Sequence, residues 1–259
     1  MVQDLRVNQF VEQEIKRMRN VEVLAAVVFL VSVIFSSTAG GGNITGKVKF
    51  EGPAPEMKPI ALAADASCAA MHKDKPLLSE VLVLGEGQSM ANVLVSITAG
   101  VPQKDYPLPS EPVVLTQEGC QYAPHVLGIR TGQTLKVKNP DGILHNVHSA
   151  PKTNTSINKA MPKDLLELET KFDKTEAPFP FKCDIHPWMQ AWCAVFDHPF
   201  FSVTGMDGVF TIVGLDPGDY EISAWHERLG KKTATVTVAE GSDATVDFVF
   251  SKTPAAAPK

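Results

Sequence analysis

An all-β protein is predicted from three observations on the chain. Short stretches alternate apolar and polar residues, the period of a half-buried strand, as in Ile44 to Phe50, Thr233 to Val238 and Ala244 to Phe250. Gly- and Pro-containing breaks such as Gly52-Pro-Ala-Pro55 and Leu215-Asp-Pro-Gly218 punctuate them. A sustained helical period is missing, and the best helix candidate is the short stretch Pro162 to Leu168. The length of 259 residues allows one large domain or two small ones. Hydrophobic content of 44% is ordinary for a globular chain, and a net charge of -5 without a basic block excludes nucleic acid as a partner class.

In chain order, an apolar run, Val23 to Phe35, follows Lys16, Arg17 and Arg19 and precedes the small residues Ser37-Thr-Ala39. This pattern reads as a secretory signal over residues 1–39. The run is short for a membrane span, although a retained anchor stays open as the alternative. A polar stretch, Met1 to Arg17, precedes it, and a start at Met18 would give an ordinary signal. The expected location is therefore periplasmic or extracellular, with membrane contact only through this segment. Strands are expected at Ile44 to Phe50, Val81 to Leu84 and Ala91 to Ile97, then at Pro112 to Gln117 and Val126 to Val137. After a polar connector, Ser149 to Leu168, come Thr170 to Phe172, Pro178 to Lys182 and Ala191 to Phe196. Strands within 204–250 close the pattern, and residues 252–259 read as a disordered Pro- and Ala-rich tail.

The most informative stretch is Phe181-Lys-Cys-Asp-Ile-His-Pro-Trp-Met-Gln190. A thiol, an imidazole and a thioether stand at Cys183, His186 and Met189, evenly spaced on one loop. Thiolate and thioether sulfur beside imidazole suit copper, and a blue-copper site takes two His, one Cys and a long axial Met. Leu144-His145-Asn146 is the obvious donor of the second His. Zinc shares Cys and His, but Met is not among its usual ligands.

This loop, with Gly132 to His148 upstream, resembles the cupredoxins, and its short spacing is that of the amicyanins. The resemblance covers roughly Pro112 to His198. It implies one type 1 copper held by His145, Cys183, His186 and Met189, with Asn146 behind them tying the two ligand loops together. It also implies transient docking of redox proteins on an apolar patch around the later His, here Ile143, Leu144, Pro187 and Trp188.

The flanking pieces Gly46-Lys-Val-Lys-Phe50, Asn92-Val-Leu-Val95, Asp207-Gly-Val-Phe-Thr-Ile212 and Leu215-Asp-Pro-Gly-Asp-Tyr220 resemble a carboxypeptidase regulatory-like sandwich, a transthyretin-like fold. The resulting organisation is a discontinuous sandwich at 44–100 and 199–251, with a cupredoxin-like copper domain at 101–198 inserted in one of its loops. The alternative places Ile44 to Ile97 in the cupredoxin sheet itself, followed by a separate C-terminal module.

Of the four cysteines, Cys183 is assigned to metal and Cys193 lies in an apolar strand, where a thiol packs as a small hydrophobe. Cys68 and Cys120 remain in loop-like contexts and are expected to form a disulfide, which exported proteins tolerate; two free thiols are the alternative. His148 lies three positions from His145 on a strand and should face the other way. His125 reads as a surface or hydrogen-bonding residue and Trp225-His-Glu227 as a strand end; His198 has no assigned role. The resemblance implies an electron carrier. A copper carrier or buffer and a structural sandwich with a copper staple are the competing readings. An enzyme ranks last, because copper oxidases of this lineage use His-x-His pairs and the chain has none.

Overall fold

The computed structural model describes residues 41–252, so the expected signal segment and the tail beyond residue 252 lie outside the described residues. Strand β1 is Gly42–Glu51 and β2 is Leu94–Ala99; between them lies the short helix α1, Ala66–Met71. The central part holds β3 (Val113–Glu118), β4 (Gln121–Ala123), β5 (Val126–Arg130), β6 (Leu135–Lys138) and β7 (His145–Ser149). It continues with β8 (Asn158–Met161), β9 (Glu167–Thr170), β10 (Glu176–Lys182) and β11 (Gln190–Phe196). The last part holds β12 (Phe201–Val203), β13 (Val209–Leu215), β14 (Gly218–His226), β15 (Gly230–Val238), β16 (Ala244–Thr245) and β17 (Phe248–Ser251). The protein is all-β.

The strands form two sandwiches. In the flanking one, β1 pairs antiparallel with β13 and parallel with β16 and β17, and a second sheet runs β12-β2-β14-β15. Its strands alternate because one face of each sheet points inward, as in β1, where Ile44, Val48 and Phe50 are buried while Lys47 and Lys49 are not. They meet Phe210, Ile212, Ile222, Phe248 and Phe250 in one core. Gly46 is required inside β1 because a Cβ there would lie 1.8 Å from the Val246 carbonyl oxygen. In the central sandwich one sheet runs β4-β3-β6-β9 and the other β5-β11-β10-β7-β8. Leu115, Ile129, Val137, Val147, Phe172, Phe179 and Phe181 fill it. Neither β1 nor β2 pairs with a central strand.

Three local expectations are corrected. Residues Pro162 to Leu168 are not helical; a turn leads into β9 there. The α-helix of the described residues is α1, whose start is set by Asp65, its side chain accepting from the Cys68 N–H at 2.9 Å. At six residues it is too short to show a period. Residues Val81 to Leu84 contribute only an isolated bridge, Leu84 to Met90, because the chain turns back through Gly85 to Gln88.

Candidate metal centre

Strand β7 and the loop between β10 and β11 place the candidate donors side by side. His145 opens β7, which pairs with β10 through Phe181 to Ser149 and Lys182 to His148. The chain leaves β10 at Lys182, and the loop is closed by two backbone hydrogen bonds, Cys183 N–H to Met189 O at 3.2 Å and Met189 N–H to His186 O at 2.9 Å. Asn146 locks the loop to β7: its Oδ1 accepts the Asp184 N–H at 2.6 Å, and its Nδ2 donates to Asp184 Oδ2 at 3.0 Å. Tyr122 reaches both segments, donating to Asn146 O at 2.6 Å with Lys182 O at 3.2 Å.

The result is a buried donor set. His145, Cys183, His186 and Met189 are 0%, 2%, 1% and 1% exposed. His145 Nδ1 lies 2.9 Å from His186 Nδ1, and Cys183 Sγ lies 3.6 Å from His186 Nδ1. Nitrogens about 2.0 Å and a sulfur about 2.3 Å from one ion would be separated by about 2.8–3.5 Å (N to N) and about 3.0–3.7 Å (N to S) at right-angled to trigonal angles. The donor separations therefore fit a metal, and soft sulfur beside two imidazoles suits copper.

Both imidazoles are oriented from behind by carboxylates. His145 Nε2 donates to Asp141 Oδ2 at 2.9 Å, and His186 Nε2 faces Asp65 Oδ2 at 3.3 Å. A proton on each Nε2 leaves both Nδ1 atoms turned inward, the arrangement in which ligand histidines are held by a carboxylate partner. Asp141 also accepts the N–H groups of Gly119 at 2.7 Å and Cys120 at 2.8 Å. These two residues form the β3–β4 turn with φ of 61° and 53°, a left-handed pair that a two-residue hairpin of this hand requires. Asp141 thus ties that hairpin to His145.

The electrostatics follow from this shell. Burial pushes the Cys183 thiol up, but hydrogen bonding from His145 and from the Asn146, His186 and Ile185 backbone holds it down at about 6. Burial pushes His145 down, but Asp141 and Cys183 raise it to about 9. A metal held here would take the Cys183 thiolate and an unprotonated Nδ1 from each imidazole, so its uptake would release protons.

The structure brings Cys68 and Cys120 together as a disulfide, S–S 1.99 Å, with the indole N–H of Trp188 donating to Cys120 O at 3.0 Å. His148 is turned out of the donor set and pairs with Asp184 at 3.0 Å. Cys193 is fully buried, and burial pushes its thiol well up. The expected apolar patch is corrected in one respect. His186 does not reach the surface, because Asp65 and α1 lie over its Nε2 edge. Leu144 and Pro187 are exposed, whereas Ile143 and Trp188 are half-buried against the core. His125 is buried and bonded to Glu227 at 2.6 Å, with Trp192 Nε1 donating to the other Glu227 oxygen at 3.0 Å.

Asp65 and Asp141 are the functional residues that sequence reading missed. Asp141 stands four residues before His145, a signal that could have been used; nothing local marks Asp65 as the partner of His186.

No family model and no curated protein matches the chain. Among solved structures, amicyanin from Paracoccus versutus (Thiobacillus versutus) is 22% identical, covering 39% of this chain and 97% of its own, with a TM-score of 0.30. A purple cupredoxin from Nitrosopumilus maritimus is 21% identical, covering 32% and 99%, with a TM-score of 0.28. A Cu(I) form of an amicyanin variant is 18% identical, covering 39% and 98%, with a TM-score of 0.30. At such scores the likeness decides nothing about function; the donor geometry has to do so.

Proposed function

We propose that the chain is an exported type 1 copper protein that carries single electrons between redox partners and is not an enzyme. The observation that carries this reading is the buried set of His145, Cys183 and His186, whose donor atoms lie within 4.8 Å of one another, with Met189 buried in the same core. When bound, copper would supply a one-electron couple. The chain's part is to hold three donors rigidly through β7, the closed loop and the two carboxylates, and to keep water from them. Rigid, dry ligation limits rearrangement between oxidation states and tunes the potential.

The central strands are proposed as a cupredoxin-like domain inserted in a loop of a transthyretin-like sandwich. The pairing of β1 and β2 exclusively with strands after residue 200 supports this, as does the tolerance of exposed loops for inserted domains. Export is supported by the disulfide and by the leader pattern at residues 1–39. Among the described residues no helix is long and apolar enough to cross a membrane. Redox partners are proposed to dock transiently at exposed Leu144, Ile185 and Pro187, a small apolar area of the size such encounters use.

The test is copper(II) loading of the purified chain. An intense visible band from the Cys183 thiolate, reversibly bleached by a one-electron reductant and absent in Cys183→Ser, is the expected result. A colourless copper complex, or colour that survives Cys183→Ser, overturns the reading.

A further inference from the structure

The soft donors do not end with the four proposed ligands. Cys68 Sγ, Cys120 Sγ and a ring nitrogen of His186 lie within 4.8 Å of one another, and all three residues are buried. Cys120 also lies within that distance of Asp141 and His145. The disulfide therefore adjoins the histidines of the proposed copper centre. His186 has a ring nitrogen within reach of the two sulfurs. Its Nδ1 faces His145 and Cys183, while its Nε2 faces Asp65, the cap of the helix that carries Cys68.

As a disulfide the two sulfurs offer no thiolate. A dithiol reductant changes that by exchange: its thiolate attacks one sulfur, the S–S bond breaks, and its second thiol completes the exchange. The reductant leaves as a cyclic disulfide, and Cys68 and Cys120 each gain a proton. Their Cα atoms stay 5.8 Å apart, held by α1 on one side and the β3–β4 turn on the other. Two thiols at that spacing reach one ion by side-chain rotation. Thiolates in so dry a place are costly without a cation, and a soft monovalent ion that displaces both thiol protons removes that cost. Hard divalent ions prefer oxygen ligands and gain little here.

We propose that reduced Cys68 and Cys120, with His186, form a second site for a soft monovalent ion, copper(I), alongside the first; with both ions bound, the His186 ring bridges them and gives up its Nε2 proton to the Asp65 carboxylate beside it. The proposal rests on the first site being a copper centre, and its test separates the two. The full chain is prepared in its disulfide form and, after dithiol treatment and anaerobic removal of the reductant, in its dithiol form. Each is titrated with copper(I) in competition with a copper(I) chelator, as the wild type and as Cys183→Ala.

Reduction is expected to add one copper(I) per chain in both proteins, and in reduced Cys68→Ser/Cys120→Ser the added ion is absent. X-ray absorption of reduced Cys183→Ala carrying one copper(I) should show two sulfur ligands and a nitrogen. If reduction adds no ion, or the added ion has sulfur ligands alone, the second site as proposed is wrong. If the disulfide form of the wild type binds no copper(I), the first site is the one refuted, and an ion gained on reduction still supports the second.

Discussion

The two sandwiches differ in what they bury. The flanking one encloses Ile44, Val48, Phe210, Ile212, Phe248 and Phe250, and its one buried imidazole is His226. The central one encloses a comparable set of Phe, Leu and Val, but also His145, His186, Cys183, Asn139, Asn146 and Gln117. Hydrocarbon needs only complementary volume, so the first interior is held chiefly by packing, with a few buried hydroxyls such as Thr204 donating to the backbone. Buried donors must each be given a partner, so the second interior is built around carboxylates, amides and backbone groups aimed at the ligands. The same architecture thus serves as packing in one place and as a rigid donor frame in the other.

The largest expected effect is on stability. Phe250→Ala, at a fully buried site of the flanking core, should cost about 3–5 kcal/mol in denaturant unfolding and leave the visible copper band unmoved. Phe181→Ala should cost a similar amount and shift the band, because Phe181 ends two residues before Cys183. Equal spectral shifts in both variants would erase the distinction between the interiors.

Acid should act through His226 next. Burial holds this imidazole down at about 4, below its ordinary 6.5. The unfolded chain therefore takes up the proton first, so the contribution is complete above about pH 6.5 and is lost as pH falls toward 4. The ceiling is roughly 3 kcal/mol by linkage. His226→Asn should flatten the slope of stability against pH in that window; an unchanged slope would assign the acid sensitivity elsewhere.

A smaller effect is expected behind the ligands. Asp141→Asn, facing His145 at 2.9 Å with its side chain 5% exposed, should weaken copper binding by about 10–100-fold. Asp65→Asn should do less, since its contact is 3.3 Å and a third of its side chain is exposed. The reverse order in a chelator competition would show that His186 is the ligand more dependent on its partner. Smallest is His148→Ala. Its half-exposed pair with Asp184 should be worth about 0–1 kcal/mol, with no change in the visible band.

The sequence by itself determined what covalent spacing fixes. Alternation along β1, β15 and β17 follows from the geometry of an extended chain, so those strands were legible without a neighbour. Cys183 and His186 lie on one short loop, and the pattern His145-Asn146 opens a strand, so the convergence of these three side chains was legible too. The six-residue helix α1 was not, because its signal is one capping aspartate rather than a period. Tertiary structure alone decided that Asp65 stands behind His186 and that Glu227 meets His125. Asp65 and His186 are 121 residues apart, and His125 and Glu227 are 102 apart. Such pairs exist only once distant segments have packed, because a hydrogen bond needs atoms within about 3 Å, and only the folded chain sets which distant residues come that close.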